Sequence, residues 1–289
     1  MTIAQTIKIA AAKLNAKNIS IPHLEAEILL SEILKKPREF LLARGEKKLS
    51  AKQISDFKHQ LARRLKGEPI AYIIGKKEFY GLDFKVNRHV LIPRPETELM
   101  VDEALKLISH SLKPVTLVDA GAGSGCVAIT LSKLTKQNII AIDISGKALA
   151  VAKQNAKRHG VEKKIKFIKG NLLSPIIHDP SFIAHNPLII LANLPYLDKD
   201  QIKSSPSIKY EPETALFGGK NGLELYEKLF QQITGLSDIT MLCEFDPRKT
   251  VRIKQLIKKH LPLAKLQIKK DLAGLNRLAV IRINQNLEP

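Results

Sequence analysis

The stretch VTLVDAGAGSGCVAITLSKLT, residues 115–135, joins an apolar strand pattern to a helix pattern through a glycine-rich loop. Glycine recurs at every second position of the loop, which lets a ligand approach the backbone closely. The helix that follows offers its N-terminal amide groups to an anionic group. Because a strand precedes the loop and a helix follows it, ligand binding is a better interpretation than a purely structural turn.

The spacing of the glycines bears on the class of ligand. A dinucleotide-binding loop has its third glycine at the position that Cys126 occupies here. The loop therefore favours a ligand that carries a carboxylate and a nucleoside without a pyrophosphate, and S-adenosylmethionine fits this description. The predicted cofactor contacts in the loop are Gly121, Ala122, Gly123, Ser124 and Gly125.

Two further strand ends complete the predicted cofactor site. Asp143 ends the next strand, about 20 residues after the glycines, where a carboxylate can accept hydrogen bonds from both ribose hydroxyls. A helix N-cap is the structural alternative for this aspartate. After the third strand, Asn171 can bond the exocyclic amine of adenine and Leu172 can pack on the ring, or the two residues simply form a turn.

The beginning of the chain has a different pattern. In residues 1–75 apolar side chains recur at three- and four-residue spacing, which predicts a small helical bundle. Ser20 and Pro22 indicate the start of one helix, with Glu25 placed as in a capping box. A further helix is predicted to begin near Ser50.

The rest of the chain predicts a hairpin followed by an α/β domain. In residues 76–95 the apolar side chains alternate around Gly81, which indicates a β-hairpin linker. Residues 96–289 alternate strands with helices and predict a Rossmann-like, mostly parallel sheet of seven strands covered on both faces. Only AGLN separates the last two strands, so this C-terminal pair must be antiparallel.

Composition excludes some classes of protein and leaves one question open. The 289 residues are 44% hydrophobic, enough for a large core, and contain neither a long apolar span nor a signal-peptide pattern, so we expect no membrane association and a cytoplasmic location. Cys126 and Cys243 lack metal-ligand spacing, so we expect buried free thiols and no metal. A net charge of +19 fits either a polyanionic partner or a lysine-rich composition.

A second motif, ILANLPYLD at residues 190–198, ends a strand with Asn193, Leu194, Pro195 and Tyr196. These residue types commonly terminate strands. They also suit the binding of a planar –NH2 group, because the Asn193 side-chain oxygen and the Leu194 carbonyl can accept both of its hydrogens. Pro195 stiffens the turn, and Tyr196 can pack on the planar group. Holding the nitrogen in line with a methyl donor would supply most of the catalysis.

The motif resembles the Asn-Pro-Pro-Tyr signature of methyltransferases that act on planar nitrogens. Asn-Leu-Pro-Tyr is also the form of the ribosomal RNA adenine dimethyltransferases, so both adenine and glutamine remain open as substrates. Three other segments resemble the protein-(glutamine-N5) methyltransferases, the HemK/PrmC family. They are residues 69–105 with IPRPETE, residues 209–229 with EPETALFGG, and residues 271–282, DLAGLNRLAVIR.

This resemblance covers nearly the whole chain and implies a class I S-adenosylmethionine-dependent methyltransferase fold. It implies that Asn193 and the Leu194 carbonyl hold the glutamine of the Gly-Gly-Gln loop in class I peptide chain release factors. The helical domain of residues 1–75 would recognise this substrate. Leu194 replaces the first proline of the family motif, and Asn171 stands where an acidic residue is usual.

Two other functions remain as alternatives. One is an adenine-N6 methyltransferase acting on RNA or DNA, which the charge and the Asn-Leu-Pro-Tyr form favour and the linker and domain order oppose. The other is a catalytically inactive protein that binds the ribosome or RNA through its basic surface. The intact glycine loop, Asp143, Asn193 and Tyr196 oppose this last interpretation.

Overall fold

The computed structural model describes residues 1–177, 179, 187–204 and 208–283. The chain divides into two units, Met1–Lys76 and Lys77–Pro289. None of the helices in the described part of the chain combines the length and apolar character that crossing a bilayer requires.

The first unit is helical, as its periodicity predicts. Its helices are α1 Ile3–Asn15, α2 Pro22–Leu34, α3 Arg38–Ala43, α4 Ala51–Leu65 and α5 Ile70–Ile74. Apolar side chains from these helices, among them Leu14, Leu29, Leu30, Phe57 and Leu61, form one core. Burial of such side chains, at about 1.5–3 kcal/mol each, is the main force that holds the helices together.

The capping box that the sequence predicts at Ser20 is wrong. Helix α2 begins at Pro22, so its N-cap is Ile21, whose apolar side chain cannot accept a hydrogen bond from the first turn, and no side-chain cap is formed. Helix α4, in contrast, has a complete capping box in which Ser50 and Gln53 bond each other's backbone N–H groups.

The second unit is built on a seven-stranded sheet formed by described residues. Its strands are β3 Thr116–Ala120, β4 Ile139–Asp143, β5 Ile165–Lys169, β6 Leu188–Ala192, β7 Ile239–Glu244, β8 Lys265–Lys270 and β9 Asn276–Ile283. Their order is β5-β4-β3-β6-β7-β9-β8. The strands from β5 to β7 are parallel, and β9 runs antiparallel to both β7 and β8. The predicted fold class is confirmed in both its parallel and its antiparallel parts.

One helix precedes these strands along the chain, and others lie between them. They are α6 Glu98–His110, α7 Cys126–Thr135, α8 Gly146–Arg158, α9 Lys199–Ser204, α10 Glu224–Gln232 and α11 Thr250–His260. Two buried apolar clusters share the sheet residues in alternation: Val118 and Ile190 belong to one, and Leu117 and Ile189 belong to the other. This alternation shows that the strands bury side chains on both faces of the sheet.

A β-hairpin precedes the sheet, with strands β1 Lys76–Phe79 and β2 Leu82–Lys85. Gly81 has a φ of 71° at its turn, which agrees with the predicted position. The buried side chain of Asn155 on α8 bonds both the N–H and the carbonyl of Lys85, at 2.7 and 3.0 Å, and donates to the Ser124 carbonyl at 2.9 Å. The hairpin is therefore joined through one amide to the glycine loop.

The two cysteines differ in their environment. Both thiols are free, and Cys243 in β7 is buried as predicted. Cys126 is partly exposed, because it is the first residue of α7 and follows the glycine loop directly. Among the described residues, no group of three or more His, Cys, Asp or Glu side chains is arranged to hold a metal ion.

The capping difference leads to a stability prediction. Ser50→Ala should lower the free energy of unfolding by about 1 kcal/mol, because it leaves the backbone N–H of Gln53 in α4 without its partner. Ser20→Ala is the matched control and should change it by less than about 0.5 kcal/mol. Urea unfolding of the full chain, followed by circular dichroism, measures both. Equal losses in the two variants would contradict the assignment of the caps.

Candidate active site

The candidate site lies where the parallel strands end. Strand β3 pairs with β4 on one side and β6 on the other, and the strand order reverses between β3 and β6. The chain leaves these two strands toward opposite faces of the sheet, which opens a crevice between their carboxyl ends. A cavity of about 450 Å³ occupies this edge. Eight of the residues predicted from the sequence line it: Gly121, Gly123, Asp143, Asn171, Leu172, Asn193, Leu194 and Pro195.

The glycine loop has a conformation that other residues would strain. Gly121, Gly123 and Gly125 have φ values of 84°, 55° and 79°, in the left-handed region. A Cβ atom on Gly121 would also lie 3.0 Å from the Leu194 side chain. The loop therefore passes directly against the second motif, and glycine is required for both its conformation and this close approach.

Asp143 both shapes the loop and faces the cavity. One carboxylate oxygen accepts a hydrogen bond from Gly123 N and the other from Ser145 N, each at 2.8 Å. Each oxygen keeps a lone pair for a ligand hydroxyl. Burial raises the pKa of Asp143, and the two backbone hydrogen bonds oppose this shift. At the start of α8 the cap is supplied by Ser145, which accepts from Ala148 N, so Asp143 is not the N-cap.

Other predicted cofactor contacts divide into two groups. Asn171 and Leu172 lie at the end of β5 and line the cavity, with Leu172 buried at a φ of 54°. Ala122, Ser124 and Gly125 are not among the described lining residues. Their backbone is used within the protein: Gly125 N donates to the Ala122 carbonyl at 2.7 Å, and the Ser124 carbonyl accepts from Asn155.

Asn193 and Leu194 present two acceptors at the cavity. The Asn193 side-chain Nδ2 donates to the Thr97 hydroxyl at 2.9 Å, which leaves its Oδ1 available. Within the described part of the chain, no hydrogen bond to this Oδ1 or to the Leu194 carbonyl oxygen is formed. The two oxygens that the sequence suggests as acceptors are therefore without hydrogen bonds among the described residues.

A buried tyrosine that sequence reasoning missed supports this turn. Leu194 N donates to the Tyr226 hydroxyl at 3.1 Å. That hydroxyl also lies within hydrogen-bonding distance of the carbonyl oxygens of Ala192 and Glu244. A proline at position 194 would have no N–H, so Tyr226 satisfies the buried donor that leucine introduces.

A smaller cavity of about 160 Å³ adjoins the first and shares Leu91, Asn193, Leu194, Pro195 and Ala215 with it. Arg94 and Tyr196 line only the smaller one. The Asn-Leu-Pro-Tyr turn is therefore the wall between two compartments. The larger cavity has the dimensions of a nucleoside cofactor site. The smaller cavity has room for a group of a few atoms, and we call it the acceptor compartment.

The two longer sequence motifs meet at these cavities. Arg94 of IPRPETE forms an ion pair with Glu211 of EPETAL, with Nη2 and Oε1 2.5 Å apart. The other Glu211 oxygen accepts from Ile92 N at 3.0 Å, and the side chain is buried. Segments more than a hundred residues apart are thus held together beside the acceptor compartment.

Residues 216–218, near the end of the EPETALFGG motif, pack on the turn formed by Asn193–Tyr196 and on Leu197. Leu197 N donates to Leu216 O and Gly218 N donates to Leu197 O, both at 2.9 Å. A Cβ atom on Gly218 would lie 2.3 Å from the Pro195 carbonyl oxygen and 2.7 Å from the Tyr196 Cα. Only glycine allows the two backbones to approach this closely.

Behind the turn lies a buried carboxyl group. Glu244 ends β7 and is 1% exposed, and its Oε1 is 3.5 Å from the Tyr196 hydroxyl. Its Oε2 has no hydrogen-bond partner among the described residues. Burial raises the pKa of Glu244 to about 7, while the Thr97 hydroxyl and the charge of Arg277 oppose the shift. Burial likewise raises the pKa of Tyr196.

Comparison with known proteins assigns the chain to a family. The family model described as the PrmC N-terminal domain matches residues 5–75, and that of ribosomal protein L11 methyltransferase (PrmA) matches residues 97–194. A release factor glutamine methyltransferase of Nitratidesulfovibrio vulgaris is 33% identical, with 98% of this chain and 96% of the relative covered. The chain belongs to the release factor glutamine methyltransferase family. The resemblance found in the sequence is thereby confirmed.

Other members and relatives differ in extent. The release factor glutamine methyltransferase of Koribacter versatilis is 37% identical over 81% of each chain. A bifunctional methyltransferase of Rickettsia prowazekii is 40% identical over 78% of this chain, which spans only 46% of that longer protein.

Solved structures that resemble the chain show its fold. The catalytic domain of human Mettl16, solved with an RNA hairpin, superposes with a TM-score of 0.59 at 14% identity, covering 89% of this chain and 92% of that one. Its N-terminal domain, solved in complex with SAH, gives a TM-score of 0.51 at 16% identity over 78% and 83%. The fold is therefore that of the class I S-adenosylmethionine-dependent methyltransferases.

Gly218 provides a test of the packing on the turn. Gly218→Ala should displace Pro195 and lower the methyl-transfer rate roughly tenfold, because a Cβ overlaps backbone atoms that have little room to move. Gly146→Ala is the control, since the nearest atom to its new Cβ is a flexible lysine carbon 3.9 Å away. Single-turnover kinetics measures both variants. A Gly218→Ala enzyme as fast as Gly146→Ala would contradict the geometry.

The buried carboxyl predicts a pH dependence of stability. Because the pKa of Glu244 rises from 4.5 to about 7 on folding, its neutral form is favoured in the native state. The associated stability is complete below pH 4.5 and is lost as the pH rises toward 7. Relative to Glu244→Gln, the wild type should lose roughly 3 kcal/mol over that interval. Urea unfolding at pH 5 and pH 8 measures the difference, and parallel curves for the two proteins would refute it.

Proposed function

We propose that this protein transfers a methyl group from S-adenosylmethionine to the side-chain amide nitrogen of the glutamine in the Gly-Gly-Gln motif of class I peptide chain release factors. The observation that carries the proposal is the open pair of acceptors, Asn193 Oδ1 and the Leu194 carbonyl, between a nucleoside-sized cavity and a smaller one. Membership of the release factor glutamine methyltransferase family supports the choice of substrate.

The larger cavity fits the cofactor. Gly121 and Gly123 expose backbone to it, the Asp143 carboxylate suits ribose hydroxyls, and Leu172 offers an apolar surface to a base. When bound, S-adenosylmethionine supplies a methyl group on a positively charged sulfur. We assign these four residues to holding it, together with Asn171 and Asn193 at the same edge of the sheet.

The protein's own contribution is to hold the acceptor nitrogen. An amide nitrogen is a poor nucleophile because its lone pair is delocalised. Asn193 Oδ1 and the Leu194 carbonyl would each accept one amide hydrogen, which fixes the plane of the group and aims the nitrogen at the larger cavity. The same two acceptors stabilise the positive charge that develops on nitrogen. Pro195 stiffens the turn, and Tyr196 forms a wall of the acceptor compartment.

The remaining assignments concern partners. We propose that residues 1–75, which match the PrmC N-terminal domain, recognise the release factor. The net charge of +19 would steer an acidic protein toward the enzyme and could also support contact with the ribosome or RNA. We propose the cytoplasm as the place of the reaction. Adenine methylation remains the second function that the Asn-Leu-Pro-Tyr form allows.

Methyl transfer from labelled cofactor tests the proposed substrate. A class I release factor should be labelled by the wild-type protein, and Asn193→Ala should reduce the rate by at least roughly 100-fold because one acceptor is lost. Replacing the glutamine of Gly-Gly-Gln by alanine in the release factor should abolish labelling altogether. Scintillation counting of the separated substrates gives the rates.

Total RNA incubated in parallel is the control for the alternative function. Label on RNA, with none on the release factor, would replace glutamine by adenine as the acceptor. Cofactor binding without transfer to either substrate would favour a protein that has lost activity.

A further inference from the structure

The Thr97 side chain does not make the hydrogen bond that its position at a helix N-terminus predicts. It occupies the N-cap of α6, a position at which threonine commonly bonds the backbone of the first turn. Here the side chain makes no capping bond and is 3% exposed. Its Oγ1 instead accepts the hydrogen bond from Asn193 Nδ2 at 2.9 Å.

Thr97 does not touch the space where ligands would bind. Neither Thr97 nor Glu244 is among the described residues that line the two cavities, whereas Asn193 lines both. Any influence of Thr97 on the reaction must therefore pass through Asn193.

The hydrogen bond between Asn193 and Thr97 determines which end of the Asn193 amide faces the cavities. Asn193 could in principle present either its oxygen or its nitrogen, since the two ends of an amide have nearly the same shape. In the structure Nδ2 faces the Thr97 oxygen and donates to it, so Oδ1 is the end of the amide that has no partner among the described residues.

We propose that Thr97 is a positioning residue that holds the side-chain amide of Asn193 with its Nδ2 toward the Thr97 hydroxyl. The consequence is that Oδ1 points toward the acceptor compartment, where a substrate –NH2 group needs an acceptor. In the opposite orientation Asn193 would present an –NH2 group to another –NH2 group, and the hydrogen bond would be lost. The role in catalysis rests on the proposed function, whereas the orientation itself is a property of the free protein.

Thr97→Val and Thr97→Ser form a matched pair for the kinetic test. Valine keeps the shape but removes the hydroxyl, so kcat for methylation of a release factor should fall roughly 10- to 100-fold. The dissociation constant for S-adenosylmethionine and the thermal midpoint should stay close to those of the wild type. Serine keeps the hydroxyl and should retain kcat within about threefold. Equal losses in both variants, or none in Thr97→Val, would overturn the proposal.

A spectroscopic measurement separates this inference from the proposed function, because it needs no substrate. In protein labelled with ¹⁵N-asparagine, the side-chain amide of Asn193 is assigned by its absence in Asn193→Ala. Its hydrogen exchange should be slow in the wild type and Thr97→Ser, and fast in Thr97→Val. Should the wild type fail to methylate a release factor, only the proposed function fails. Identical exchange in all three proteins would falsify the orientation itself.

Discussion

The parallel pairing of β3 with β4 on one side and β6 on the other is the constraint on which the rest of the site depends. At this point of the sheet the strand order reverses, and the chain leaves β3 and β6 toward opposite faces, so their carboxyl ends enclose a crevice. The glycine loop follows β3, Asp143 ends β4, and Asn193 follows β6. The sheet topology thereby brings three segments that are distant in sequence to one edge. No contact between their side chains is needed to place them there.

The Asn193–Tyr196 turn is held from several directions by contacts of different kinds. The Tyr226 hydroxyl accepts a hydrogen bond from Leu194 N, and the backbone of Gly218 packs against Pro195. Thr97 bonds the Asn193 side chain. A turn restrained in this way can keep its acceptors in a fixed geometry before substrate arrives, which is the condition for efficient positioning.

Burial of ionisable groups accompanies this rigidity. Asp119 and Glu244 both have a pKa raised to about 7 by burial, and Glu244 leaves one oxygen without a partner in the described structure. Groups of this kind reduce stability unless they are compensated. Asp119 accepts from Ala128 N at the start of α7 and so joins the strand to the helix, whereas Glu244 lies against the residues that hold the turn. Both groups lie at the candidate site, and buried ionisable groups with shifted pKa values are common at functional sites.

Local sequence patterns are sufficient to predict the helices and strands and to identify the motifs. The alternation of strand and helix, the hairpin turn at Gly81, the antiparallel C-terminal pair and the cavity-lining positions of Gly121, Asp143 and Asn193 all follow from residue type and spacing along the chain. The predicted cap at Ser20 is wrong because the helix begins one residue later than a Ser20 cap requires, at Pro22, which leaves the apolar Ile21 at the N-cap.

The sequence alone therefore determined the fold class, the family and the chemistry-bearing motifs, because these depend on periodicity and on short runs of residues. Tertiary structure alone decided that Arg94 pairs with Glu211, that the Tyr226 hydroxyl accepts from Leu194 N, and that Thr97 accepts from the Asn193 side chain. These partners are separated by 32 to 117 residues where the hydrogen bonds are direct. No periodic pattern links such residues, and only the packing of the folded chain selects which buried donor meets which acceptor.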